Sequence, residues 1–462
     1  MNIILLISDT FRWDNLFDRA AMPVNTPELD RFAQERAASL ENCWVSSFPT
    51  IPHRTDLTSG RYGWPWHGWQ PLARSGPNHS PNILRESGYV SQMLYDCQHL
   101  FRQGLHEGFD AQFTVRGQEG DTYFLRMNYP MEEVMPPEKT RGSRHFMDRN
   151  LPDISRWVNR HWRGEDDRLM VRTAGTTVEW LEENYRHDPF FLWVDFFDPH
   201  EPWDPPEYMV RKYDPDYDGT PMIHPNYGKA SDLSAAELRN LRAHYCAEAE
   251  LVDRWVGRVL QKIDDLDLWK NSIVIFTTDH GMSLGEHNRT GKSNINPGDD
   301  RPWPIYPEIA HIPLMVAAPG VAPGTKIHDF VQPPDILPTA LELAGVQAEP
   351  PKSFHGKSFA PMLRGQAQPP LRDFVISAQY LRGDPREAGA TRTTPVVYTR
   401  EWAYAPIGQE RTPELFDLKS DPCAERNVIA DNPGVAEEMH EKLLGWLAEM
   451  NAPEEAVAAF RK

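Results

Sequence analysis

The sequence predicts an α/β protein: a mostly parallel central sheet flanked by helices, followed by a smaller C-terminal α+β subdomain. Three observations predict it. Short apolar runs of strand length recur at residues 3–7, 190–196, 273–276 and 312–316. Segments with helical periodicity lie between them. The first three runs pass at once into polar residues, Asp9, Asp198-Pro-His200 and Asp279-His280-Gly281. This is the grammar of strands buried on both faces, which bind ligands at their carboxyl ends.

Taken in order, residues 3–7 form the first strand. Residues 48–62 follow as a turn and a short helix, with Pro52 suited to its first turn and Gly60 to its end. Between about 101 and 168 the pattern dissolves into Pro, Gly, Arg, Trp and Met, which predicts a long insertion over the sheet edge, either a lid, a subunit contact or a surface excursion. The clearest helix begins at Ser234, where Ser-Ala-Ala-Glu237 forms a capping box, and runs through Leu241, Tyr245, Val252, Trp255, Val259 and Ile263. We place a catalytic unit at 1–367. A subdomain at 368–462 starts at the Gln-Pro-Pro of 368–370, with strands near 395–399 and 414–418 and a final amphipathic helix ending near Met450.

The chain has 462 residues, 40% of them apolar and 11% aromatic, enough for a large core and two or three domain-sized units. With 48 basic against 67 acidic residues the net charge is −19, a field that repels nucleic acids and anionic lipid and argues against either as partner. A small anionic substrate stays compatible, because a metal and a few local cations outweigh a distant negative surface. Cys43, Cys97, Cys246 and Cys423 are widely spaced and read as reduced structural thiols. The first apolar run lacks a basic leader, and no stretch has membrane-spanning length, so the expectation is a cytoplasmic enzyme. A homo-oligomeric assembly is compatible with these features.

The chemistry gathers at the strand ends. Asp9, Asp279 and His280 would supply hard oxygen and imidazole ligands for one divalent cation, although any one Asp after a strand is more often a turn or cap residue. Thr50 should stand at or just before a helix N-terminus, where free N–H groups and the dipole favour a charged oxygen and a bound oxyanion. A metal would let its hydroxyl act as an alkoxide. Arg54 would brace that oxygen or the substrate. On spacing alone, a capped helix with a surface arginine explains the segment as well.

The segment Thr50-Ile-Pro52-His-Arg54 with Leu57-Thr-Ser-Gly60 resembles the sulfatase signature Cys/Ser-x-Pro-x-Arg, Leu, Thr-Gly, within the alkaline-phosphatase-like superfamily. The other motifs follow in the family's order. Ile-Leu-Leu-Ile-Ser-Asp9 looks like its first metal strand, Asp198-Pro-His200-Glu-Pro-Trp203 like its Pro-His-x-Pro loop, and Thr277-Thr-Asp279-His280-Gly281 with Lys292 like its second metal motif and substrate-facing lysine. Residues 354–358 and 414–422 resemble its closing motifs. The resemblance implies that Asp9, Asp279 and His280 bind the metal with Thr50 completing the shell, that Arg54 holds the nucleophile end, and that His200 and Lys292 stabilise or protonate the leaving group. His53, His67 and His287 beside these motifs read as packing or hydrogen-bonding histidines.

Three departures carry the functional information. Thr50 stands where most sulfatases have the Cys or Ser that becomes formylglycine, and Thr cannot yield that aldehyde. Thr10 replaces a further metal-binding Asp. Where sulfatases tend to have Gly-Lys-Trp-His touching sulfate, this chain has Asp96-Cys-Gln98-His99, so Asp96 and Gln98, or His99 after a one-residue slip, would line the substrate. The pattern resembles the phosphonate monoester hydrolase and phosphodiesterase branch more than the arylsulfatases. The Thr also resembles nucleotide pyrophosphatase/phosphodiesterases, which use two zinc ions. Here a single-metal site with Mn, Ca or Zn is expected. The sequence therefore predicts a metal-dependent hydrolase of phosphodiesters or phosphonate monoesters acting through phospho-Thr50. The alternatives are a sulfatase that manages with Thr and an inactive sulfatase-like binding module.

Overall fold

The computed structural model describes residues 1–71, 79–122, 131–140, 149–296, 298–347, 354–380 and 393–461. Its main sheet has eight strands: β1 (Asn2–Ser8), β2 (Ala38–Cys43), β3 (Val90–Tyr95), β4 (Ala111–Thr114), β5 (Phe190–Phe196), β6 (Ser272–Thr278), β7 (Leu314–Ala317) and β8 (Lys326–Val331). They lie in the order β8-β2-β7-β6-β1-β5-β3-β4. Within this sheet only β7 runs against its neighbours.

Side chains alternate across a strand, so β1 feeds both faces of the sheet. Ile4 and Leu6 enter one core with Phe190, Leu192, Val274 and Phe276. Ile3, Leu5 and Ile7 enter the other with Trp193, Ile273 and Ile275. The first face is covered by α2 (Leu169–Asn184) and α3 (Ala235–Asp265), the second by α1 (Thr50–Ser59) and α4 (Ile336–Ala344), numbering only the helices used below. The capping box at Ser234 forms as the sequence predicts: its hydroxyl accepts from the Glu237 N–H at 3.2 Å, and Glu237 accepts from the Ser234 N–H at 2.8 Å.

Strand β4 falls inside the 101–168 segment, where no strand is expected. Its Ala-Gln-Phe-Thr sequence carries no apolar run because it lies at the sheet edge and is mostly exposed. A smaller sheet has the order Glu414–Asp417, Trp402–Ala405, Val396–Tyr398, Val375–Gln379, Ser47–Phe48, and α5 (Pro433–Glu449) packs on it through Met439, Leu443 and Leu447. Its last strand comes from far upstream: Ser47 and Phe48 pair in parallel with Ala378 and Gln379. The residues just before Thr50 are thus anchored in the second sheet.

Candidate active site and metal centre

Parallel register brings the site together. Ser8 lies beside Phe196 on one side and Thr278 on the other, so the chain leaves β1, β5 and β6 at one edge. The next residues include Asp9 and Asp279, with His280 following, and one ligand atom from each of these three lies within 4.8 Å of the others. All three are fully buried. His280 is oriented by its neighbour, because its Nδ1–H donates to the Gly281 carbonyl at 2.9 Å and leaves Nε2 as a bare lone pair. Gly281 cannot carry a side chain there: a Cβ would stand 2.1 Å from the Glu308 carbonyl oxygen. Burial, ahead of charge effects, pushes the imidazole down to about 4, so it is neutral at physiological pH.

Arg54 completes the cluster from α1. Its guanidinium meets the Asp195 carboxylate at 2.8 and 3.1 Å, Asp9 at 3.4 Å, and Asp279 through Nη1 in an ion-pair contact that lacks hydrogen-bond geometry. Burial, then the charge of Asp279, pushes the Asp9 carboxyl well above the usual range. At Asp279 burial is again the largest single effect and works upward, but Arg54, His280 and His53 together outweigh it and hold that carboxyl well below. Asp195 is absent from the sequence-derived site. A lone acid inside Phe-Phe-Leu-Trp-Val-Asp-Phe was the available signal, because a buried charge requires a partner.

Thr50 is the first residue of α1 and is 3% exposed. It is bracketed by contacts to the cluster: Phe48 packs against the His280 ring at 4.9 Å, and Arg54 holds Asp9 and Asp279. The helix ends at Gly60, whose φ of 64° is left-handed. His53, one turn along from Thr50, is fully buried with neither ring nitrogen hydrogen-bonded, and burial followed by Arg54 lowers it to about 3. His67 is exposed, and His287 stacks on Tyr306 at 3.6 Å.

On the other side, His200 donates its Nδ1–H to the Glu201 carbonyl at 2.7 Å, and burial lowers it to about 4. Lys292 donates to Glu201 Oε2 at 3.0 Å and to Thr10 Oγ1 at 3.2 Å. Thr10 in turn donates its hydroxyl to Asp9 at 2.7 Å and its N–H to Asp279 at 2.9 Å. The residue that replaces a carboxylate therefore links the lysine to the metal-type acids. Asp96 is buried and accepts the Phe197 N–H at 2.7 Å; burial, then Asp198, raises its carboxyl well above the usual range. Gln98 donates to the Glu119 carbonyl at 3.3 Å, and His99 pairs with the Glu119 carboxylate. Phe197 stacks on His200 at 4.1 Å and has its ring 6.3 Å from that of His99.

The sulfatase family model matches residues 1–346. The chain belongs to the sulfatase family. A second model, the C-terminal region of N-sulphoglucosamine sulphohydrolase, matches residues 300–451. Among curated relatives, arylsulfatase K of Homo sapiens is 24% identical over 482 residues, covering 96% of this chain and 81% of its own. The endo-4-O-sulfatase of Bacteroides thetaiotaomicron is 26% identical over 464 residues, covering 93% and 86%. Among solved structures, the phosphonate monoester hydrolase of Agrobacterium radiobacter superposes with a TM-score of 0.73 at 21% identity, covering 97% of this chain and 95% of that one, a likeness of fold.

Sulfatase family members use a divalent metal, and the residues here fit one. His280 Nε2 is buried without a hydrogen-bond partner beside Asp9 and Asp279, and Asp279 Oδ2 meets the Arg54 guanidinium as an ion pair without a hydrogen bond. Two carboxylates and a neutral imidazole with its lone pair free form a donor set for a divalent cation. The chain is a metal-dependent ester hydrolase of this family.

Proposed function

We propose that the chain hydrolyses a small phosphodiester or phosphonate monoester through a covalent Thr50 intermediate. The observation that carries this reading is a buried threonine, which cannot become formylglycine, at the start of a helix docked on the acid–histidine cluster. Asp9, Asp279 and His280, with Thr50, would hold one cation, with Mn, Ca and Zn all compatible; bound there it supplies positive charge to the reacting oxygens. Thr50 Oγ gives its proton to solvent and forms a bond to phosphorus as the bond to the leaving alcohol breaks, and the departing oxygen takes a proton from the Lys292 ammonium, which solvent reprotonates. His200 is neutral with Nδ1–H already donated, so its Nε2 serves as an acceptor that orients the substrate. Water then cleaves the Thr50 ester and restores the hydroxyl. Asp96, Gln98 and His99 are assigned to the substrate side.

A second reading, sulfate-ester hydrolysis, is favoured by the names of the sequence relatives, which are sulfatases throughout those cited. Those names support it better than they support phosphorus chemistry. Mechanism favours phosphorus: a formylglycine hydrate expels sulfate by collapsing to an aldehyde, whereas a Thr50 ester must be displaced at its central atom. A cytoplasmic location belongs to the same reading, on four free cysteines, and fractionation of cells tests it.

The deciding experiment compares an aryl sulfate, a phosphate monoester, a phosphodiester and a phosphonate monoester on metal-reconstituted protein. Expected are faster turnover of the phosphodiester or phosphonate than of the aryl sulfate, and loss of turnover in Thr50→Ala with fold and metal content retained. A wide preference for the aryl sulfate installs the second reading. Silence on all four points to a binding module.

A further inference from the structure

We propose that Glu201, fixed by Tyr227, is the positioning residue that aims the Lys292 ammonium at the substrate. The inference rests on the reading of this site as an ester hydrolase.

An ammonium has three donors. Glu201 takes one at 3.0 Å and Thr10 another at 3.2 Å, and among the described residues the third has no protein acceptor. Lys292 is 6% exposed, so this N–H has little access to bulk solvent. A flexible lysine loses its direction unless the groups holding it are themselves held. Glu201 is 1% exposed and both of its oxygens are committed: Oε2 accepts from Lys292 and Oε1 from the Tyr227 hydroxyl. Its own carbonyl fixes His200. One residue therefore orients both Lys292 and His200. Burial works to raise the Glu201 carboxyl, but His200, Lys292 and His224 together outweigh it and hold it at about 2.

The local backbone is built around this contact. Tyr227 has φ of 54°, a left-handed conformation that is costly for a bulky residue and persists where the surroundings enforce it. Its ring packs where a Cβ on Gly291 would come within 2.9 Å, directly before Lys292. The loops are stitched further: Thr290 N–H donates to the Gly228 carbonyl at 3.1 Å, and the Thr290 hydroxyl to Asn226 at 2.7 Å. Tyr227, Glu201 and Lys292 thus form one braced unit ending at Thr10 and Asp9.

The test uses the metal-loaded full chain with Glu201→Gln and Tyr227→Phe, each checked for folding by its melting curve. In Glu201→Gln, kcat for an alkyl phosphodiester should fall at least about tenfold more than for an activated aryl phosphodiester, with KM little changed, because only a poor leaving group needs the proton. Glu201→Asp should recover part of the loss, and Tyr227→Phe should show the same pattern in weaker form. Equal losses on both esters, or no loss, overturn the proposal. A second readout needs no turnover: reductive methylation mapped by mass spectrometry should modify Lys292 several-fold faster in both variants, with other lysines unchanged. Unchanged Lys292 labelling also overturns it. If the wild type cleaves none of the esters, the reading of the site as a hydrolase fails while the labelling still decides the role of Glu201. If Glu201→Gln does not fold, Tyr227→Phe carries both readouts.

Discussion

Arg54 has no exposed surface and faces the carboxylates of Asp9, Asp195 and Asp279. Breaking a buried ion pair from one side leaves uncompensated charge, so Arg54→Ala should lose about 3–5 kcal/mol in chelator. A divalent cation should return part of that stability by neutralising the same acids. Denaturant melts with and without metal check this, and an unchanged stability in chelator would show that the three acids are not a charged cluster. At this scale the sequence was informative wherever residue type and chemistry coincide. Asp9, Asp279 and His280 stand at strand ends and do meet. Asp195 and Glu201 were not read, although an acid in an apolar strand and an acid beside a loop histidine each announce a buried partner. The partner of Glu201 lies at position 292, and no local pattern joins the two. Thr10 looked like a lost ligand, but the left-handed φ of 63° that lets its hydroxyl bridge Lys292 and Asp9 is a property of the fold.

At the scale of elements, α1 is held from both ends. The Asp56 carboxylate accepts from the Ser47 N–H at 3.0 Å and the Gly63 N–H at 2.6 Å, tying the helix to the segments before and after it. Gly60 closes it with a left-handed φ, and a Cβ there would lie 2.6 Å from the Phe354 ring. Gly60→Ala should therefore cost about 1–2 kcal/mol for the backbone alone, plus a steric part. In a double-mutant cycle Phe354→Ala should relieve the steric part and leave the backbone part. Full additivity of the two substitutions would mean that the ring moves aside freely. The helix itself was legible from Pro52 and Gly60, and the buried strands from their apolar runs. Edge strand β4 and the pairing of Ser47–Phe48 with the second sheet were not, since an exposed or two-residue strand has no periodicity to read and its partner lies more than 300 residues away in the chain.

The whole molecule buries ionisable groups outside the acid–histidine cluster, and these contribute to its response to pH. His79 and His244 are both pushed down to about 4, chiefly by burial, from an ordinary value near 6.5. Above pH 6.5 each is neutral in the folded and unfolded chain alike and contributes no pH dependence. Between about 6.5 and 4 the unfolded chain takes up a proton that the folded chain refuses, so stability falls as pH falls, by up to about 1.4 kcal/mol per pH unit for each histidine. Asp56 and Asp253 oppose this. Burial raises both to about 7, so the folded chain keeps a proton that the unfolded chain has released, and their contribution is lost as pH rises from about 4 to 7. A simple pH profile mixes the two sets. The difference between His244→Leu and wild type isolates one histidine: measured by urea melts, the variant should gain on the wild type steadily from pH 6.5 to 4.5 and show a constant offset above pH 7. A difference that stays flat across the acid range would mean that His244 titrates equally in both states and that its burial does not resist protonation.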